Sequence, residues 1–134
     1  MVRRRLWPPD AALATMSAME VSSAAVGLPV SDLAAAVTWY RQVLELAEPD
    51  LQPADGVVEF KVGSLWLQLG EEPTARSGAQ VVVRFGVDDA GRERQRLEQL
   101  GVSVGPLEHV PEAVNHFDFR DPDGNVLSFY SEIT

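Results

Sequence analysis

The sequence contains no cysteine. Disulfides, thiolate metal sites and cysteine nucleophiles are therefore excluded together. No apolar run reaches the length needed to span a bilayer as a helix, so no membrane partner is expected. Basic residues are scarce, with 11 Lys and Arg against 20 Asp and Glu, for a net charge of -9. Such a surface repels phosphate backbones, and nucleic acid is not an expected partner. The acidity serves solubility, or it sets up a field that attracts cationic ligands.

The N-terminal Arg3-Arg4-Arg5 is followed by Leu6-Trp7-Pro8-Pro9-Asp10. The prolines and the aspartate break any hydrophobic region of an export signal before it starts. A cytoplasmic location is expected. Residues 1–20 read as a tail, and 21–134 as one domain.

Within that domain, Ala24 to Val30 reads as a strand, and Ser31-Asp32 supplies a helix cap. Leu33, Ala36, Val37, Tyr40, Val43 and Leu44 then recur at helical spacing, and Pro49 prevents continuation. Val57–Val62 and Leu65–Leu69 form a hairpin around Gly63-Ser64. After a polar linker from Glu71 to Gly78 the plan restarts. Gln80–Val87 is a strand, and Asp88 caps a helix from about Asp89 to Leu100, closed by Gly101. Val102–Val110 is extended, with a break at Gly105-Pro106. Val114–Arg120 and Asn125–Ser131 form a hairpin around Asp121-Pro122-Asp123-Gly124.

The restart is an internal repeat. Val26 to Asp32 aligns with Val82 to Asp88, Glu59–Val62 with His116–Phe119, and Trp66–Leu69 with Val126–Phe129. Each half is strand, helix, then three strands, giving module one over 21–73 and module two over 79–134. The expected fold class is α+β: two tandem βαβββ modules forming a curved mixed sheet. Helices cover the convex face, and the concave face is left for a ligand.

Two stretches carry a family resemblance. Leu28-Pro-Val-Ser-Asp-Leu33, with Trp39-Tyr40 and Val43-Leu-Glu-Leu46, resembles the opening of a vicinal oxygen chelate module. Phe119-Arg-Asp-Pro-Asp-Gly-Asn125, with Leu127-Ser-Phe129, resembles the closing hairpin. The resemblance to this superfamily (glyoxalases, bleomycin-resistance proteins, extradiol dioxygenases) covers residues 24 to 132. It implies a divalent metal held by a His on the first strand and a carboxylate on the last strand of each module. Those positions carry Ala25, Gln68, Val82 and Ser128 here. Alanine and valine cannot ligate, and one amide and one hydroxyl fall short of a divalent site. No metal and no cofactor are expected. The pattern is similar to the metal-free branch of bleomycin-resistance proteins, which are dimers that sequester a drug. A homodimer is therefore expected as well.

If Gln68 and Ser128 point inward, strand alternation assigns their neighbours to the same face. Trp66, Val126, Tyr130, Arg84 and Gly27 join them. Phe60, Phe117 and Phe119 go to the helix-covered core, which leaves Glu59, Lys61, His116, Asp118 and Arg120 on the cavity side. The expected ligand-binding residues are Trp66, Gln68, Arg84, His116, Ser128 and Tyr130. Each has a plainer alternative. Trp66 closes a core, Arg84 pairs with Asp118 or Glu59, and Tyr130 sits in a subunit contact.

Two functions follow. One is a binding protein for an aromatic or cationic small molecule, acting without a metal. The alternative is an enzyme of the same fold, a lyase, isomerase or dioxygenase type. It would use His116, Asp118 and Arg84 as acid–base and oxyanion groups, or an atypical metal site drawn from Glu59, His116 and Asp118.

Overall fold

The computed structural model describes residues 21, 23–73, 81–111 and 114–132. The expected tail, most of the linker and the start of the strand at Gln80 lie outside the described residues. The elements are β1 (Ala24–Val30), α1 (Leu33–Val43), β2 (Leu51–Ala54), β3 (Val57–Val62) and β4 (Leu65–Glu71), followed by β5 (Val82–Gly86), α2 (Ala90–Gln99), β6 (Glu108–Val110), β7 (Val114–Arg120) and β8 (Val126–Glu132). Strand, helix and three strands occur twice, so the α+β tandem of βαβββ modules is the fold observed.

Each module makes its own four-stranded mixed sheet, in the orders β1-β4-β3-β2 and β5-β8-β7-β6. The first strand of each module runs parallel to the last, and the other pairs are antiparallel. Two strands depart from the sequence reading. β2 completes the three strands expected after the first helix, but the sequence does not locate it, because all four of its residues are exposed and it contains Pro53. An edge strand tolerates that proline, but it shows no alternation to read. The long extended stretch Val102–Val110 narrows to the three residues of β6, plus a lone bridge from Val104 to Phe119.

Both helices start at an aspartate whose carboxylate accepts a backbone N–H. Asp32 Oδ1 accepts from Ala35 at 3.0 Å and Asp89 Oδ1 from Arg92 at 3.1 Å. The second cap is thus Asp89 and not Asp88. The repeat shifts by one residue accordingly, and Ala25 rather than Val26 is the counterpart of Val82. α2 closes on Gly101 in the left-handed region (φ 83), which glycine enters freely; α1 closes on Glu45 (φ 54).

One core joins the modules. Leu28, Val30, Tyr40, Phe60, Leu67 and Leu69 from the first half meet Leu97, Phe117, Phe119, Leu127 and Phe129 from the second. Each such apolar side chain contributes about 1.5–3 kcal/mol of burial. Trp39 lies 6.4 Å from the Phe119 ring, across the module boundary.

A buried polar latch crosses the same boundary. Tyr40 donates its hydroxyl to Asp121 Oδ2 at 2.7 Å, and Asn125 Nδ2 donates both to Asp121 Oδ2 at 2.7 Å and to the Pro29 carbonyl at 2.9 Å. Asp121 Oδ1 accepts from the backbone of Asp123 and Asn125. The Asp-Pro-Asp-Gly-Asn turn thereby ties β8 to both α1 and β1. Burial first, then the Asp121 charge, pushes the Tyr40 hydroxyl well above its ordinary pKa.

Candidate functional site

The face of each sheet turned away from the core is assembled by register. In the first sheet, Gly27, Gln68 and Glu59 form one cross-strand row, and Ala25, Trp66 and Lys61 the next. In the second sheet the rows are Arg84–Ser128–Asp118, Gly86–Tyr130–His116 and Val82–Val126–Arg120. Leu67, Leu69, Phe117 and Phe119 take the opposite, buried face. Every residue that alternation grouped with Gln68 or Ser128 therefore shares its sheet face.

On the first sheet, Gln68 Nε2 donates to Glu59 Oε2 at 2.9 Å. The Gln68 amide oxygen lies over Gly27, where a Cβ would come within 3.3 Å of it. Lys61 Nζ sits 5.2 Å from the centre of the Trp66 ring, a cation–π distance. These four side chains pair with one another locally, and among the described residues none of their hydrogen bonds or ion pairs reaches the second sheet.

On the second sheet, Arg84 Nη1 donates to Ser128 Oγ at 3.0 Å and lies 3.6 Å from Asp118 Oδ1. Of the two partners open to Arg84, the structure thus selects Asp118. Both side chains of that pair are 49% exposed, whereas Ser128 is fully buried. His116 Nε2 lies 3.4 Å from Glu108 Oε2, and His116 Nδ1 is buried with no hydrogen-bond partner among the described residues. The carboxylate facing His116 is therefore Glu108, which the sequence reading missed. No pattern marked it, because its placement depends on the short β6 pairing. Gly86 lies beneath Tyr130: a Cβ there would approach the tyrosine oxygen to 3.1 Å. Sequence reading passed over this glycine as well.

The metal implied by the resemblance does not fit these residues. Ala25 and Val82 offer no donor, and the Gln68 amide is bonded to Glu59. Ser128 Oγ faces the Arg84 guanidinium, a fixed positive charge that repels a divalent cation. Nor do Glu59, His116 and Asp118 form a substitute. Among the described residues there is no group of three or more His, Asp or Glu placed to hold a metal ion.

Several hollows touch the outer-face residues, and two of them bear on the expected binding residues. One, of about 420 Å³, lies where the modules meet and is lined by Leu65, Arg84, Phe85, Phe129 and Tyr130 with the ends of the helices. Another, of about 380 Å³, is lined by Gly27, Gln68, Gly56 and Glu71. Arg84 and Tyr130 thus share one hollow, while Gln68 borders the other.

A family model described as the Glyoxalase/Bleomycin resistance protein/Dioxygenase superfamily matches residues 22–129. Among solved structures, the chain is similar to a lactoylglutathione lyase from Agrobacterium tumefaciens, with 26% identity, 84% of this chain and 95% of that one covered, and a TM-score of 0.68. TnmS3, an antibiotic binding protein from Streptomyces sp. CB03234, shares its fold at 24% identity, 87% and 100% coverage and a TM-score of 0.72. So does the fosfomycin resistance protein FosX from Listeria monocytogenes, at 17% identity, 87% and 96% coverage and a TM-score of 0.70. No curated protein sequence matches the chain.

Proposed function

The chain belongs to the glyoxalase/bleomycin resistance protein/dioxygenase superfamily, and from that membership we propose that it binds a small aromatic or cationic organic molecule on its open sheet faces without a metal ion. The observation that carries this reading is the Arg84–Ser128 contact. A guanidinium 3.0 Å from Ser128 Oγ occupies the surroundings of one implied ligand position, and two of the other three positions are alanine and valine. The outer faces carry an indole, a phenol, an amide and several charges, the mixture that suits an organic ligand. An antibiotic binding protein and a fosfomycin resistance protein among the fold neighbours agree with a drug-like ligand. The active unit is proposed to be a cytoplasmic homodimer.

Calorimetry against a panel of aromatic and amphipathic cationic compounds, glycopeptide antibiotics included, tests the reading. Saturable binding that survives a chelator is expected. Silence across the whole panel would sink it.

A second reading, metal-free acid–base catalysis, draws on His116. His116 Nδ1, buried with no hydrogen-bond partner among the described residues, calls for an explanation, and a ligand proton is one. In that case Glu108 orients the ring, Asp118 stays with Arg84, and Arg84 faces a developing oxyanion. His116→Ala separates the two readings. It weakens ligand affinity, with no product formed by either protein, if the protein only binds, and removes turnover of an identified substrate if it catalyses.

A further inference from the structure

We propose that Arg84 takes the place of the family's metal ion as the cationic anchor, so that the preferred ligand is an aromatic molecule presenting an anionic oxygen. The inference rests on the metal-free binding reading and narrows it. Val82, an implied metal-ligand position, and Arg84 stand two residues apart on the same face of β5. Arg84 pairs in register with Ser128, another of those positions, and donates to its hydroxyl. A positive charge is therefore restored beside a place from which the ligands for a metal have been lost.

The guanidinium is only partly used. Among the described residues its two polar contacts, to Ser128 and Asp118, both involve Nη1. Nε and Nη2 make no hydrogen bond to a described residue, and a guanidinium presents its donors as a planar fork that matches a carboxylate. The Asp118 contact, at 3.6 Å, is longer than a hydrogen bond and half exposed, so it compensates the charge loosely. An incoming oxyanion can compete for it. Tyr130, one row from Ser128 on the same face as Arg84, supplies an aromatic surface beside it, and both residues border the 420 Å³ hollow that Leu65, Phe85 and Phe129 line from the buried face of the sheets. Elsewhere the chain is strongly acidic, so Arg84 offers an anion a local positive charge against that background. By contrast Arg96, in the same hollow, is already held by Glu93 at 2.7 Å and by the Val43 carbonyl at 2.7 Å.

The test compares 2-naphthoate, 2-naphthamide and 2-naphthylmethylamine, which share a ring system and differ in charge, by calorimetry on the full chain. The acid is expected to bind at least about tenfold more tightly than the amide, the scale of one charge-assisted hydrogen bond. Arg84→Met is expected to erase that preference, bringing acid affinity down at least about tenfold to the level of the amide, and Arg84→Lys to retain part of it. Asp118→Asn removes the competing carboxylate and is expected to strengthen acid binding several-fold. It decides the matter on an intact Arg84 should the Arg84 variants misfold. Equal binding of all three probes, insensitive to both positions, overturns the inference and leaves the metal-free reading standing. No binding of any naphthyl probe removes the anchor proposal and counts against the reading beneath it.

Discussion

Glu45 holds a backbone conformation that the second module gives to a glycine. Its φ of 54 and that of Gly101, 83, close the two helices in the same way. A side chain in this region costs about 1 kcal/mol. The Glu45 carboxylate offsets little of it, being 69% exposed and 4.0 Å from Arg96. Glu45→Gly is expected to raise stability by about 1 kcal/mol in urea unfolding. Tyr40 gives a second, opposite case. Tyr40→Phe leaves the buried Asp121 short of one donor and is expected to cost about 1–3 kcal/mol. Its pH signature follows from the raised hydroxyl pKa. The unfolded tyrosine ionises near its ordinary value of 10.0, while the folded one keeps its proton. The Tyr40 contribution is therefore complete below about pH 10 and declines above it, by about 1.4 kcal/mol per pH unit. Tyr40→Phe is expected to remove that decline when unfolding is followed between pH 8 and 11. At this scale the sequence left Arg84 a choice between Asp118 and Glu59. Register decides it, since Ser128 stands between Arg84 and Asp118 on the central strand. Glu108 beside His116 was unreadable, because β6 has too few residues to set a pattern.

At the level of elements, the strands with one buried face and the helices with a side-chain cap were legible. β4 shows why: Leu67 and Leu69 are fully buried, while Trp66 and Gln68 between and before them are not. β2 failed because nothing on it is buried. Asp88 and Asp89 are adjacent and either can cap α2 in principle, so sequence alone does not separate them; the hydrogen bond to Arg92 belongs to Asp89. Alanine substitutions test this directly. Asp32→Ala and Asp89→Ala are each expected to cost about 1 kcal/mol, and Asp88→Ala less than about 0.5 kcal/mol, in thermal or urea unfolding.

For the molecule as a whole, the repeat foretold two modules, and the structure adds what binds them: a common core and the Tyr40–Asp121–Asn125 latch. The resemblance supplied the positions where a metal would sit, while side-chain chemistry at those positions supplied the reason to expect none. Which hollow takes the ligand was beyond the sequence, because it depends on how the open faces of two separate sheets are covered. The proposed homodimer is one such cover, and sedimentation equilibrium is expected to give twice the chain mass. The account stands most directly on the absence of a metal from the binding event. Tag-free protein dialysed against Mn²⁺, Ni²⁺ and Zn²⁺ and then analysed by mass spectrometry of its metals is expected to retain far less than one ion per chain, and to bind its organic ligand equally well after chelation. One firmly held divalent ion per chain, whose removal abolishes ligand binding, would contradict it.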